Sequence, residues 1–231
     1  MIGIIKDGKH SYDDFGLTVR DTTIETKKKN KTLVKIPFMN GSYDFSSLYG
    51  GQTYEEETRT YEFNLVVEDK YDLELQKMKL SEWLLDGGQV EIYDDLLVGY
   101  HRLAECINLS FEENYNYAKV IANFRAYPFK IRDEYEGDDI WDTFNFELDT
   151  SQDVKFTVGP FKNKVLINNG SNGVTPVVVC SAPMMVTLNN KTFKFQAGET
   201  IDYRFRLKKG GNSLKIKGEG AIEFKFRKEV L

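Results

Sequence analysis

Histidine, cysteine and clustered carboxylates carry most enzymatic proton transfer, nucleophilic attack and metal ligation. This chain holds few of them. Its two histidines, His10 and His101, lie far apart in sequence with no nucleophile motif around either. Cys106 alternates with Ala104 and Asn108, and Cys180 follows Val177-Val178-Val179. Both read as small buried hydrophobes, and two cysteines are too few for a disulfide framework or a zinc site. No His-Glu-x-x-His, no Cys-x-x-Cys and no glycine-rich phosphate loop is present. Glu55-Glu56-Glu57 offers three carboxylates, but consecutive residues on a strand point to alternate faces. Asp133 to Asp139 lacks the ligand spacing of a calcium loop, with Gly137 one position early. The expectation is a protein with no catalytic residues, no metal and no cofactor.

Lys27-Lys28-Lys29-Asn30-Lys31 is the densest run of one charge. Between polar neighbours it reads as a solvated hairpin tip or loop, with phosphate or partner contact as the alternative. The whole chain has 31 basic and 36 acidic side chains, net −5, which argues against general affinity for nucleic acid.

The elements that position these residues are mostly strands. The 231 residues include 16 Phe and 13 Tyr but only 5 Pro, a composition that suits pleated, half-buried surfaces. Alternating runs recur at Phe63–Val67, His101–Phe111 and Ala118–Ala126, then from Lys164 to Arg227. In the second run Leu103, Ile107, Leu109 and Phe111 share one face; in the third, Val120, Ala122 and Phe124 do. Ile201–Leu207 is read as a further strand. Asn40-Gly41, Asn169-Gly170, Asn172-Gly173 and Gly210-Gly211-Asn212 supply turn residues suited to positive φ. Turns every 8–12 residues or so mark a sandwich or barrel.

One segment is helical. About residues 69–86, Asp69 or Asp72 can cap the start and Gly87-Gly88 the end. Leu73, Leu80, Trp83 and Leu84 gather on one side, and Leu75, Met78 and Leu85 on another. This fits either a helix packed on two surfaces or one wide core face, with Trp83 anchoring it.

Pro128 ends the third run, and the acidic stretch after Asp133 is poor in strand formers. The boundary is therefore placed near residue 130: residues 1–130 form a β-rich domain with one helix, and 131–231 an antiparallel β-sandwich. Residues 1–150 carry 17 basic and 30 acidic side chains, residues 151–231 carry 14 and 6. Opposite charge on two halves can steer assembly, or can be a solvated accident. No run of about 18 apolar residues could span a membrane as a helix. The first residues lack a signal-peptide apolar core, so folding in a cytoplasm is expected.

The order of features carries more than any one of them. Asp13-Asp14-Phe15-Gly16-Leu17 is followed by Ile36-Pro37-Phe38-Met39-Asn40-Gly41-Ser42-Tyr43-Asp44-Phe45-Ser46, then Arg59-Thr60-Tyr61-Glu62-Phe63. The helix closes on Trp83-Leu84-Leu85-Asp86-Gly87-Gly88, and the half ends on Phe124-Arg125-Ala126-Tyr127-Pro128-Phe129. This succession resembles the distal tail proteins of long, non-contractile-tailed bacteriophages. Ile167-Asn168-Asn169-Gly170, Thr175–Val179, Gly198–Asp202 and Lys209–Asn212 look like that family's second domain.

The resemblance implies a mainly β fold whose second domain is a galectin-like or jelly-roll sandwich. It implies a homohexameric ring at the distal end of a phage or prophage-encoded tail, assembled in the host cytoplasm. The tail tube stacks on one side of such a ring. A tail-associated spike or lysin docks on the other, and receptor-binding proteins are further partners. No catalytic residue carries over. For subunit contacts, the basic tip Lys27, Lys28, Lys29 and Lys31 is expected to meet an acidic neighbour. The rival reading is a lectin-like adsorption module. Its aromatic platform would have to come from Tyr203, Tyr135 or Trp141, because residues 151–231 contain no Trp and one Tyr.

Overall fold

A computed structural model of the chain describes residues 2–48, 51–114, 117–137 and 151–231. Two compact units are present: Met1–Leu97 with His101–Pro128, and Val98–Tyr100 with Phe129–Leu231.

The first unit contains β1 (Ile4–Lys6), β2 (Lys9–His10), β3 (Thr18–Ile24), β4 (Leu33–Val34), β5 (Tyr43–Asp44), β6 (Glu57–Val66), α1 (Lys70–Leu85), β7 (Val90–Asp94), β8 (Tyr100–Glu113) and β9 (Tyr117–Ala126). Its main sheet runs β2-β1-β7-β8-β9-β6-β3, antiparallel throughout. Asp7 and Gly8 both have positive φ, which is the two-residue turn that matches strand twist between β1 and β2. On β6, Tyr61, Phe63 and Leu65 face the core; on β9, Ala118 to Ala126 alternate inward. Small alanines there let Phe63 and Phe124 fill the layer, since cores pack to crystal-like density.

α1 closes this core. Asp69 accepts a hydrogen bond from the Asp72 amide, capping the first turn. Leu73, Leu80, Trp83 and Leu84 are buried. Trp83 stacks on Phe15 at 4.4 Å between ring centroids, and its indole N–H donates to the Lys6 carbonyl at 3.0 Å. Lys6 is itself buried, and its ammonium donates to the Trp83 and Asp86 carbonyls at 2.8 and 3.0 Å. A cation at a helix C-terminus satisfies carbonyls that have no partner within the helix. The second apolar side is open: Met78 is 64% exposed, and Tyr71 and Leu85 are exposed beside it.

β8 departs from the alternation read in the sequence. Ala104 and Cys106 are buried, and Leu103 is only half-buried, facing away from them. Ile107 is 53% exposed. Cys106 pairs with Phe124, but the next pair is Asn108 with Asn123, so Ile107 is an extra residue. This bulge flips the parity, and Leu109 and Phe111 return to the core side.

The second unit contains β10 (Lys130–Arg132), β11 (Lys155–Val158), β12 (Phe161–Asn168), β13 (Val177–Cys180), β14 (Met184–Leu188), β15 (Lys191–Phe195), β16 (Gly198–Ile201), β17 (Gly210–Lys217), β18 (Gly220–Lys225) and β19 (Glu229–Val230). Two four-stranded antiparallel sheets, β11-β18-β13-β16 and β12-β17-β14-β15, enclose one core. Val158, Val178, Ile222 and Phe224 from one sheet meet Leu166, Leu214, Ile216 and Phe195 from the other. Phe205 sits edge-on to Phe193 and Phe195. The strand expected over Ile201–Leu207 is not formed. β16 ends at Ile201, because the Asp202 side chain accepts from the Arg204 amide and turns the chain. Phe205 and Leu207 are buried all the same, while Tyr203 is 82% exposed. Of the expected turn glycines, Gly41 and Gly210 have positive φ. Gly170 instead permits close approach: a Cβ there would lie 2.7 Å from the Glu229 carbonyl oxygen.

Candidate functional site

The first unit carries a two-stranded arm between β3 and β6. The stem is held by backbone bonds: Glu25 N to Thr58 O at 3.1 Å, Glu55 N to Lys28 O at 2.9 Å, and Asn30 N to Thr53 O at 3.0 Å. Farther out, β4 pairs with β5, Leu33 opposite Asp44 and Val34 opposite Tyr43. The tip turns through Phe38 and Gly41, both at positive φ. A bulky residue in that region is strained, and here its ring is fully exposed.

Leu33, Val34, Ile36, Phe38, Tyr43 and Phe45 are each at least 43% exposed, and none belongs to either core. A lone two-stranded ribbon is marginal in water. Exposed apolar side chains concentrated on such a ribbon make it a candidate interaction surface.

The lysine run lies in the stem of this arm, and not at a hairpin tip. The residues after it are apolar and pair as β4 and β5, which carries the turn outward to Phe38–Gly41. Lys27 donates to the Pro128 carbonyl at 2.8 Å and lies 3.7 Å from Glu57. Lys31 pairs with Asp44 at 2.6 Å, which holds the Asp44 carboxyl well below the usual carboxylate range. Lys28 and Lys29 are exposed, with Lys29 bridged through its backbone to Tyr54. Two of the four lysines thus brace the arm within its own chain, and two are displayed.

At the foot of the arm is a buried polar cluster that composition and spacing did not single out. Of the three consecutive glutamates, Glu57 opens β6 and is buried, while Glu55 and Glu56 precede the strand and are exposed. Arg59 donates to Glu57, and Tyr61 reaches Asp94 at 3.4 Å. Burial pushes the Tyr61 hydroxyl up; burial, then the neighbouring Arg59, pulls the Arg102 guanidinium down. Burying such charges costs desolvation that their mutual attraction largely offsets, so the cluster adds little net stability.

The candidates for chemistry are not brought together. His10 contacts Asp95 at 3.0 Å and receives the Asp13 amide, while buried His101 lies 3.7 Å from Glu91. Cys106 and Cys180 are buried and free, and burial pushes the Cys106 thiol up to about 11. Among the described residues no group of three or more His, Cys, Asp or Glu is placed to hold a metal ion. No described helix is long and apolar enough to cross a membrane. Asp138, Asp139 and Trp141 lie outside the described residues.

The described residues thus form an antiparallel sheet with one helix, followed by a two-sheet sandwich. The chain is similar to the crystal structure of Dit (gp 19.1) of phage SPP1, described as a paradigm of the hub adsorption apparatus in phages infecting Gram-positive bacteria. The TM-score is 0.71, at 14% sequence identity, over 98% of this chain and 99% of that one. No family model matches the sequence. No curated protein matches it either.

Proposed function

We propose that this chain is a structural hub of a phage tail tip, built into the virion as a homohexameric ring. In this reading it joins the tail tube to a spike or lysin protein and to peripheral adsorption proteins, and it performs no catalysis. The observation that carries the reading is the likeness to Dit along nearly the full length of both chains. The arm supports it. A closed ring needs head-to-tail contacts in which one patch meets a different patch on the next subunit. An exposed ribbon bearing Leu33, Val34, Ile36 and Phe38 is one half of such a contact. Lys28 and Lys29 add a basic flank for an acidic neighbour.

Sedimentation velocity across concentration, with negative-stain imaging, tests this. The chain is expected to form rings or a concentration-dependent oligomer. Phe38→Asp with Ile36→Asp should shift it to monomer with unchanged circular dichroism. Replacing Lys27, Lys28, Lys29 and Lys31 by Glu should weaken association less, and the loss should shrink toward 1 M salt, where the screening length is about 3 Å. A strict monomer at all concentrations, with no ring on isolated tail tubes, overturns the proposal.

A further inference from the structure

The two sheets of the second unit differ sharply in charge. On β11-β18-β13-β16 the charges balance, Lys155 against Glu223 and Lys225 against Glu199, each within ion-pair distance. The strands β12, β17, β14 and β15 hold six lysines and no Asp or Glu. Lys162 and Lys164 lie over the Phe156 ring, and Lys164 also pairs with Asp153 at 3.4 Å. Lys194, Lys215 and Lys217 stand exposed on the solvent face. No carboxylate among the described residues lies within ion-pair distance of those three.

Register orders this face into rows. Phe161, Lys217, Met185 and Lys194 form one row across the four strands; Asn163, Lys215, Thr187 and Thr192 form the next. The second row carries amide, ammonium and hydroxyl groups, with the Thr187 and Thr192 hydroxyls hydrogen-bonded to each other at 2.9 Å. Lys215 and Lys217 are two residues apart on one strand, so their stems are separated by roughly 7 Å.

We infer that the solvent face of the β12-β17-β14-β15 sheet binds an anionic polyol-phosphate polymer. Lysine is a point-charge partner for phosphate, and hydroxyl and amide donors complete its oxygens. A chain with one phosphate per six backbone bonds repeats at roughly 7 Å when extended, matching the lysine spacing along β17. An acidic protein fits less well. Lysine is depleted from the cores of protein interfaces, yet here it occupies a middle strand of the face. A peptide laid across a sheet face also leaves its backbone N–H and C=O groups without partners, a cost that a polyol phosphate does not carry. Single-stranded nucleic acid needs stacking platforms, and the face offers only Phe161, on an edge strand.

The inference is independent of ring formation and is measured on the full chain by anisotropy of labelled poly(glycerol phosphate). Binding is expected to weaken roughly 20-fold between 50 and 200 mM salt, as three phosphate contacts on a single-stranded polyanion, at about 0.7 counterion each, require. Lys194→Gln/Lys215→Gln/Lys217→Gln should reduce affinity at least tenfold with an unchanged melting temperature. Lys155→Gln/Lys225→Gln, on the opposite sheet, should leave it within twofold. Failure to bind, an unaffected triple variant, or equal loss in the opposite-sheet variant overturns the inference. So does equal or tighter binding of polyglutamate, which would assign the face to an acidic protein, or of oligo-dT, which would assign it to nucleic acid. None of these outcomes alters the sedimentation result that tests the hub reading.

Discussion

Replacing Lys6 by Met tests the clasp between β1 and the end of α1. The methionine keeps the buried stem and removes only the ammonium. Two hydrogen bonds to helix-end carbonyls are lost, at Trp83 and Asp86, together with a pair to the half-exposed Asp7. Bonds to a charged donor contribute about 1.5–3 kcal/mol each, and the favourable placement of a cation at a helix C-terminus up to about 2 kcal/mol. Against this, the variant no longer desolvates a charge, which recovers several kcal/mol. The Trp83 and Asp86 carbonyls are left as dipoles, so their orphan cost is about 1–3 kcal/mol rather than that of a bare ion. The balance is a loss of about 2–3 kcal/mol. Urea titration followed by circular dichroism at 222 nm reads it, because α1 is the one α-helix among the described residues. With a slope near 2 kcal/mol/M the midpoint of the first unit should fall by about 1–1.5 M. Trp83→Phe removes the reciprocal indole bond, and the double variant should show coupling of at least about 0.5 kcal/mol. A loss below about 0.5 kcal/mol, or a gain, would refute the reasoning: desolvation would then outweigh the clasp.

Trp83→Ala should cost about 3–5 kcal/mol in the same titration, since a buried indole stacked on Phe15 is lost; a loss under about 1 kcal/mol would refute its anchoring role. Cys106 and Cys180 should resist a thiol reagent at pH 8 in the native protein and react on unfolding, because burial raises both thiols. The Asp202 carboxyl is lowered to about 2 by hydrogen bonds and charge from Arg204. Its contribution to the turn is therefore present above the ordinary carboxylate value and is lost as pH falls through about 2. An NMR titration should show this midpoint, moving up in Arg204→Gln. Ile107→Asp should change stability by under about 0.5 kcal/mol, whereas Cys106→Asp, one residue away, should cost several times that.

That last pair locates what a linear sequence can and cannot report. A period of two assigns faces only while the ladder runs without insertion. Ala118–Ala126 alternates unbroken, so its buried face is legible; Leu103–Phe111 crosses a bulge, and the apparent face of Leu103, Ile107, Leu109 and Phe111 joins residues from opposite sides. α1 was legible from its caps and leucines, but Lys6 at its C-terminus was not, because that contact depends on β1 lying beside the helix end. The arm shows the same limit in another form. Leu33, Val34 and Phe38 look like any strand and turn in composition, and only the missing partner sheet distinguishes them. Charge behaves likewise. The basic excess after residue 150 is visible in the sequence, but its concentration on one sheet is not. β12 and β17 are adjacent in space and far apart in the chain, and β14 enters between β17 and β15. Only that strand order converts scattered lysines into rows facing one way, so a surface function of this kind is encoded in topology rather than in any contiguous motif.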